Sequence, residues 1–211
     1  MALDRDTFRA ALVARHGAAR QAKFEAARVA VCGLGGLGSN VAIALARAGV
    51  GHLHLMDFDR VEPSNLNRQQ YTAAQVGLPK ADALRENIAA INPYCDVAAE
   101  TLRITPESIP ALFAADDIVC EAFDRADQKA MLVSGVLEAF PQKPVVAASG
   151  MAGLESANAI KTVRVSKRLY VCGDRTADVA DGKGLYGARV LVCAAHQATM
   201  ILRLIDGAEE P

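Results

Sequence analysis

Three glycines follow the first apolar run of the chain with the spacing of a nucleotide-binding loop. Gly33, Gly35 and Gly38 of "GLGGLGS" satisfy GxGxxG and lie between a predicted strand and a predicted helix. Glycine permits a tight turn and lets backbone N–H groups approach a phosphate, and the next helix presents the positive end of its dipole. Asp57 ends the following predicted strand, close to the offset of roughly 20 residues expected for a carboxylate that binds ribose hydroxyls. This spacing predicts a nucleotide site, in preference to a glycine turn without a ligand.

Two cations further along the chain indicate which kind of nucleotide the site binds. Arg68 lies in the polar run "DFDRVEPSNLNRQ", and Lys80 stands at the predicted start of a helix. Permanent positive charges near a phosphate loop suit a triphosphate better than a pyrophosphate diester, because they neutralise charge that develops during phosphoryl or nucleotidyl transfer. Taken singly, Arg68 would be a surface partner of Asp59 or Glu62, and Lys80 a solvated helix residue. Together with the glycine loop they predict a triphosphate site.

An acidic residue after a later strand is a candidate metal ligand. Asp124 directly follows the predicted strand "DDIVCEAF", at the carboxyl end where ligands of open parallel sheets collect. Beside a triphosphate, a carboxylate in this position predicts Mg²⁺, which prefers oxygen ligands. Asp127 is interpreted as a residue of the first turn of the next helix, which it caps. Asn65 and Asn67 offer hydrogen bonds to sugar or phosphate oxygens, although asparagines in turns most often satisfy their own backbone.

The scaffold predicted for these residues is an alternation of strands and helices. Continuous apolar strands separated by amphipathic helices are typical of a parallel sheet covered on both faces. The predicted strands are "RVAVCGL", "GHLHLMDF", "CDVAAETLRI", "DDIVCEAF" and "PVVAASG", and the predicted helices are "GSNVAIALARAGV", "PKADALRENIAAIN" and "DRADQKAMLVSGVLEAF".

The two ends of the chain depart from this alternation. Residues 1–27 predict one or two helices, residues 28–150 the nucleotide-binding core, and residues 151–211 a C-terminal extension. The extension holds antiparallel strand pieces in "NAIKTVRVSKRLYVC", a glycine-rich loop and a terminal helix. The expected fold class is α/β: a Rossmann-like, mostly parallel sheet with helices on both faces, N-terminal helices and an antiparallel C-terminal extension, in a single domain over 1–211.

Composition limits the partners. The 211 residues suffice for one domain with its own core. The 23 basic and 24 acidic residues nearly cancel and form no basic block, so nucleic acid and anionic membranes are not expected as partners. The sequence shows neither a secretory signal nor an uninterrupted apolar run of about 20 residues, and a soluble cytoplasmic protein is expected.

The cysteines and histidines do not form a recognisable metal motif. The five cysteines are widely spaced without a CxxC pair, which favours reduced thiols and predicts no zinc site. His52 and His54 alternate on one predicted strand and could form a metal pair, but ordinary residues on the face of a strand are the favoured interpretation. The cysteines are Cys32, Cys95, Cys120, Cys172 and Cys193.

Several ordered segments resemble the ubiquitin-activating-enzyme superfamily, in particular the ThiF- and MoeB-type adenylyltransferases of sulfur-carrier proteins. These segments are "GLGGLGSNVAIALARAGVGHLHLMDFDRVEPSNLNRQ", "VGLPKADALRENIAAINP" and "EAFDRADQK", and "VVAASGMAG" and "CAAHQA" extend the likeness. The resemblance implies that ATP binds over the glycine loop, with Gly36 at the phosphates and Asp57 on the ribose. It further implies that Arg68 and Lys80 contact phosphates and that Asp124 binds Mg²⁺. The remaining residues implied for the nucleotide pocket are Asp59, Ser64, Asn65 and Asn67.

The resemblance also implies a reaction and an assembly. The C-terminal glycine carboxylate of a small ubiquitin-like carrier would attack the α-phosphate of ATP and release pyrophosphate. Because the chain lacks zinc cysteines, it is most similar to the compact ThiF-like proteins of thiamine biosynthesis. The family forms homodimers in which an N-terminal arginine reaches the partner's ATP. Arg15 is the candidate for this arginine and Arg20 the second choice.

Three alternatives stay open. A superfamily relative could adenylate another carboxylate, either of a molybdopterin-type carrier or of a tRNA-linked group. The glycine loop and Asp57 alone would also allow an NAD-dependent oxidoreductase. A covalent step on a cysteine would fall to Cys172 or Cys193, for which a packing role is favoured.

Overall fold

The computed structural model describes residues 3–177 and 181–211. Its strands are β1 (Arg28–Cys32), β2 (His52–Met56), β3 (Asp96–Glu100), β4 (Ile118–Glu121), β5 (Val145–Ala148), β6 (Lys161–Arg164) and β7 (Leu169–Gly173). Its helices are α1 (Arg5–His16), α2 (Ala18–Ala26), α3 (Gly36–Arg47), α4 (Lys80–Ile91), α5 (Ile109–Leu112), α6 (Ala126–Ala139) and α7 (Gly187–Asp206). Two helices therefore precede the sheet, as the N-terminal sequence predicts.

All the strands belong to one sheet with the order β3-β2-β1-β4-β5-β7-β6. Every neighbouring pair is parallel except β6 and β7, which are antiparallel. The chain builds outward from β1 to β3 and then crosses to β4 on the other side of β1. The strand order thus reverses between β1 and β4, and ligands of such sheets bind in the crevice at the carboxyl ends of the strands. The predicted fold class, including the antiparallel C-terminal strands, is confirmed.

Helices cover both faces of the sheet, as continuous apolar strands require. Because side chains alternate along a strand, Val29 and Val31 of β1 point to one face and Ala30 and Cys32 to the other. The first face is covered by α3, α4 and α7, and the second by α5 and α6. All four of these β1 side chains are fully buried, so β1 lies at the centre of the core.

Two elements differ from the sequence prediction for identifiable reasons. The run "CDVAAETLRI" predicts a longer strand than β3, which ends at Glu100. β3 is an edge strand whose only partner, β2, ends opposite Glu100 at Met56, so no ladder exists beyond that point. The short α5 was not predicted, because a helix of four residues shows no periodicity.

The terminal helix α7 is, within the described ranges, the one helix long and apolar enough to cross a membrane. Its side chains Cys193, Gln197 and Ile201 are fully buried, and the helix packs against α3 and the sheet. We therefore interpret α7 as a core helix.

Candidate active site

A cavity of about 800 Å³ lies at the carboxyl ends of β1, β2, β4, β5 and β7. Most of the residues predicted for the site line it. They are Gly33, Gly35, Gly36, Asp57, Asp59, Ser64, Asn65, Arg68, Lys80 and Asp124. The predicted residues that do not line it are Gly38, Asn67 and Arg15. The chain therefore collects side chains from distant parts of the sequence around one pocket.

The glycine loop is shaped by close backbone contacts. Gly33 has a φ of +86°, and a Cβ on it would stand 2.9 Å from the carbonyl oxygen of Ala122. A Cβ on Gly38 would stand 1.8 Å from the carbonyl oxygen of Gly33. Gly38 is thus required for the turn itself, whereas Gly36 begins α3 and lines the cavity. The N-terminus of α3 therefore lies at the cavity wall, where its free N–H groups and dipole favour an anion.

Asp57 fixes the glycine loop to the end of β2. Its Oδ2 accepts a hydrogen bond from the Leu34 N–H at 2.6 Å, and its Oδ1 accepts one from the Asp59 N–H at 2.8 Å. Burial raises the pKa of Asp57, and the positive charge of Lys80 and these two N–H groups only partly offset the effect. The carboxylate is therefore rigidly held at the cavity wall, in the position predicted for a ribose-binding group.

The two predicted cations occupy different environments. Lys80 is the first residue of α4, is 6% exposed, and donates from Nζ to Asp59 Oδ2 at 2.9 Å. Arg68 donates from Nη1 to the Ser64 carbonyl at 3.1 Å and to Asn67 Oδ1 at 2.7 Å, so it does not form the surface ion pair with Asp59 or Glu62.

The stem of Arg68 lies over the start of α3. A Cβ on Gly36 would stand 3.4 Å from both Cγ and Cδ of Arg68. Arg68 and the free N–H groups of the helix terminus therefore both lie at the cavity wall. Both features attract a negatively charged group.

The polar residues between the cations mainly stabilise their own loop. Asn65 Oδ1 accepts from the Glu62 N–H at 3.1 Å, and Ser64 Oγ donates to Glu62 Oε2 at 3.3 Å. Asn67 donates from Nδ2 to the carbonyl of Leu185 at 3.2 Å. The contact of Asn65, but not that of Asn67, agrees with the usual behaviour of asparagine in turns. Asn67 thus joins the loop to the segment before α7.

Asp124 lies at the carboxyl end of β4 and faces the cavity. Asp127 lies in the first turn of α6, as predicted, but its role as the cap is wrong, because the N-cap residue is Arg125. Its carboxylate accepts from Arg125 Nη2 at 2.8 Å, so the arginine takes the oxygen that a cap would need. Among residues 3–177 and 181–211, no group of three or more His, Cys, Asp or Glu is placed to hold a metal ion. Asp124 could therefore contribute only one ligand.

A buried ion pair beneath the cavity was not predicted from the sequence. Glu121 is fully buried at the end of β4, and Lys129 of α6 donates to both of its carboxylate oxygens at 3.0 Å. The same Nζ donates to the carbonyl of Ala148 at 3.0 Å. Burial raises the pKa of Glu121 despite the charge of Lys129. An acid at the end of an apolar run followed by a helical lysine gives no sign that the two meet.

An aromatic ring and a guanidinium form the wall on the side of β2 and β3. Arg103 lies over the ring of Phe58, with 4.1 Å from Cζ to the ring centroid. Leu102 and Ile104 line the cavity beside them. This wall therefore presents a ring stacked with a guanidinium plane and two aliphatic neighbours, a surface on which a planar group can stack.

The histidines and the candidate thiols do not line the cavity. His52 and His54 are bound to separate carboxylates, Asp96 at 3.1 Å for the first and Asp116 at 3.0 Å for the second, so they do not form a metal pair. Cys172 and Cys193 are buried, as the interpretation of a packing role requires. Burial raises the pKa of the Cys172 thiol to about 11 and that of the Cys193 thiol to about 12.

The N-terminal arginines lie away from the cavity of their own chain. Arg15 is an exposed residue in the last turn of α1. Arg20 donates from Nε to Asp206 Oδ2 at 2.9 Å, at the end of α7. Arg20 thus already has a structural partner within the chain.

Comparison with known proteins identifies the family. The model of the ThiF family matches residues 8–211, and the chain belongs to that family. It is 33% identical over 168 residues to the molybdopterin-synthase adenylyltransferase of Salmonella typhimurium, which covers 79% of this chain and 63% of that protein. It is 30% identical over 206 residues to the adenylyltransferase and sulfurtransferase UBA4 of Yarrowia lipolytica, which covers 93% of this chain and 50% of that protein. The chain thus spans about half to two thirds of the length of these relatives.

The fold is similar to that of a solved relative over nearly all of both chains. The E. coli tRNA N6-threonylcarbamoyladenosine dehydratase TcdA, solved in complex with ATP, superposes with a TM-score of 0.86. The superposition covers 98% of this chain and 98% of that chain, at 24% identity. At this identity the likeness establishes the fold alone.

Proposed function

We propose that the chain uses ATP to adenylate the C-terminal glycine carboxylate of a small ubiquitin-like sulfur-carrier protein. The observation that carries this proposal is the convergence of Arg68 and Lys80 on one cavity with the N-terminus of α3 and with Asp124. The cavity combines these cations with an aromatic wall at Phe58, and this combination suits a nucleoside triphosphate. The names of the relatives as adenylyltransferases support the reaction class.

The proposed reaction needs positioning and charge neutralisation rather than a base. A carboxylate oxygen of the carrier attacks the α-phosphorus of ATP, and the bond from that phosphorus to the bridging oxygen of the β-phosphate breaks. Pyrophosphate leaves with the bonding electrons, and the product is an acyl adenylate. Because a carboxylate is already ionised near neutral pH, no proton has to be removed. This agrees with a site rich in Arg, Lys and Asp.

Each residue has a proposed task. Asp57 accepts hydrogen bonds from the ribose, Arg68 and Lys80 neutralise the phosphates, and Gly36 allows the phosphates to approach the start of α3. Asp124 would hold Mg²⁺, and a single protein carboxylate suits this ion, which usually keeps several waters and takes further oxygens from substrate phosphates. Bound there, Mg²⁺ would neutralise phosphate charge.

We further propose a homodimer in which Arg15 serves the site of a second copy. Arg15 is exposed and does not line the cavity of its own chain, so it could reach a phosphate only in another protomer. Arg20 is held by Asp206 and is the weaker candidate.

The carrier proposed first is of the thiamine type. The motifs of the sequence resemble those of ThiF-like proteins, and this is the support for that choice. The relatives named for molybdopterin synthase support a molybdopterin-type carrier as the alternative. A carboxylate linked to tRNA is a second candidate function, favoured by the match to TcdA over 98% of both chains. Against it stands the near-zero net charge of −1.

A nicotinamide oxidoreductase is disfavoured by the two cations. Neither Arg68 nor Lys80 is needed for a pyrophosphate diester, yet both line the cavity. The redox function requires NAD(H) to bind more tightly than Mg·ATP, which isothermal titration measures directly.

The proposal is tested by carrier-dependent exchange between ATP and labelled pyrophosphate. Purified ThiS-type and molybdopterin-type carriers ending in Gly-Gly, and a total tRNA fraction, are supplied separately, and mass spectrometry monitors the mass of AMP on the carrier. Lys80→Ala and Asp124→Ala should lower exchange by about a hundredfold or more. The control is Lys161→Ala, which removes an exposed lysine on the edge strand β6. Exchange that is unaffected by Lys80→Ala and Asp124→Ala would exclude this mechanism.

A further inference from the structure

The side of the cavity beyond Asp124 is built from the segments that follow β5 and β7. Residues 149–152 and Ala177 line it. The two segments, 149–156 and 174–177, are called here the acceptor-side wall. They are joined by backbone hydrogen bonds, from the Asp174 N–H to the Gly150 carbonyl and from the Arg175 N–H to the Ser149 carbonyl, each at 3.0 Å. Because the glycine loop, Asp57 and Lys80 lie on the other side of β4, the proposed function assigns the approach of the acceptor to this wall.

One buried guanidinium touches both segments of the wall. Arg189 lies in the first turn of α7, and its side chain is 4% exposed. Its Nη1 donates to the carbonyl of Glu155 and, at 2.8 Å, to the carbonyl of Ser156, and its Nη2 donates to the carboxylate of Asp174. Arg189 therefore fastens segment 149–156 to segment 174–177 without lining the cavity itself.

Asp174 in turn organises the second segment. Its Oδ1 accepts from the N–H groups of Thr176 and Ala177, each at 2.8 Å, and from Thr176 Oγ1 at 3.2 Å. Its Oδ2 accepts from Arg189. The side chain of Asp174 is 7% exposed. One carboxylate thus shapes the turn that carries Ala177 to the cavity and neutralises the buried arginine.

The same helix turn reaches the phosphate loop. Val190, the residue after Arg189, lines the cavity, and its Cγ1 is 3.0 Å from the place where a Cβ on Gly36 would stand. A buried cation in the first turn of a helix is opposed by the helix dipole, and a buried charge is tolerated only when it is paired and hydrogen-bonded. The first turn of α7 therefore connects the acceptor-side wall to the glycine loop through a costly and specific set of bonds.

We propose that Arg189, paired with Asp174, is a positioning residue for adenylyl transfer. It holds the acceptor-side wall at the separation from the glycine loop at which an acceptor carboxylate reaches the α-phosphate. Arg189 does not touch ATP. The role in adenylyl transfer rests on the proposed function. The claim that Arg189 holds the two segments of the wall together rests on its hydrogen bonds alone.

The experiment compares Arg189→Met and Arg189→Lys with Arg203→Met, which removes an exposed arginine from the same helix. Isothermal titration gives the Kd for ATP, steady-state transfer of AMP to a ThiS-type carrier gives kcat and KM, and hydrogen exchange reports on residues 149–156 and 174–177. Arg189→Met should lower kcat/KM for the carrier by about tenfold to a hundredfold, because a small misplacement of reacting groups is costly. The Kd for ATP should stay within about twofold of the wild-type value, and hydrogen exchange should accelerate in the wall alone. Arg189→Lys, which keeps the charge, should recover part of the rate.

Two results would overturn the assignment. One is unchanged hydrogen exchange in the wall together with unchanged transfer in Arg189→Met. The other is a loss of ATP affinity as large as the loss of transfer, which would mean that Arg189 supports the whole fold. If Arg189→Met does not fold, Arg189→Lys supplies the same comparison. If the wild-type protein transfers AMP to no carrier, the proposed function fails. Hydrogen exchange in the wall and the Kd for ATP then still decide whether Arg189 holds the wall.

Discussion

Lys80 donates from Nζ to Asp59 Oδ2 over 2.9 Å, and the two partners differ sharply in exposure: the lysine side chain is 8% exposed and the aspartate side chain 50%. The buried member of the pair is thus the cation. A solvated carboxylate can turn away at little cost, whereas a buried ammonium needs a counter-charge at all times. In the proposed function, the phosphates of ATP would replace Asp59 as that counter-charge.

Replacing Asp59 with asparagine should make the protein more dependent on ATP for stability. In Asp59→Asn, Lys80 loses its nearest anion, and the free energy of unfolding should fall by about 1–2 kcal/mol, less than for a fully buried pair because Asp59 is half-exposed. Mg·ATP should then raise the melting temperature more than it does in the wild type. Calorimetry with and without Mg·ATP measures both effects, with Lys80→Met as the variant that should lose the shift. If Mg·ATP instead raises the melting temperature of Asp59→Asn less than that of the wild type, Asp59 contacts the nucleotide directly.

Two glycines of one loop should differ in their tolerance of alanine. A Cβ on Gly38 would stand 1.8 Å from the Gly33 carbonyl oxygen, so Gly38→Ala must displace the backbone and should destabilise the fold by about 1–3 kcal/mol or more. A Cβ on Gly35 would meet only the Gln69 Nε2 atom at 3.8 Å, so no backbone has to move, although its ψ of −148° and its N-cap position favour glycine over alanine. Gly35→Ala should therefore cost about 1 kcal/mol, less than Gly38→Ala. Urea unfolding of both variants checks the difference, and equal losses would contradict this account of the loop.

The parts of the site that the sequence predicted are those in which neighbours along the chain are also neighbours in space. The glycine loop and Asp57 each follow a strand directly, and parallel strands end at the same edge of the sheet. Arg68 was predicted from its place in the polar run that begins at that acid, and it lines the cavity. Local patterns thus sufficed wherever a residue's position followed from the end of a strand.

The missed contacts join residues of different elements, whose distance is set by packing rather than by spacing along the chain. Arg189 stands in the first turn of α7, and its partner Asp174 follows a strand of the extension. Nothing in either local pattern indicates the other. The same holds for Lys129, whose distance from Glu121 depends on how α6 packs on β4. Such pairs depend on tertiary packing, which periodicity and motif spacing do not encode.

The pair of Glu121 and Lys129 should show the energetics of a buried ion pair. Lys129→Met leaves a fully buried carboxylate without its cation and should lower the free energy of unfolding by about 3–5 kcal/mol. Glu121→Gln combined with Lys129→Met removes both charges and should recover much of that loss. A double-mutant cycle by urea unfolding gives the coupling energy. If the losses of the two single variants simply add in the double variant, the pair does not act as a unit.

His54 should make stability depend on pH, because both of its ring nitrogens face carboxylates. Nδ1 lies 3.0 Å from Asp116 Oδ2 and Nε2 lies 3.0 Å from Glu100 Oε1, and only the protonated ring donates both hydrogen bonds. Burial lowers the pKa of His54, but Asp116 and then Glu100 outweigh it and raise the pKa above 6.5. The stabilisation is therefore complete below pH 6.5 and is lost as the pH rises through the raised pKa. The free energy of unfolding lost in His54→Gln should be larger at pH 6 than at pH 9, measured by urea unfolding with His52→Gln as the more exposed control. A loss that stays constant over this range would show that His54 is not protonated in the folded protein.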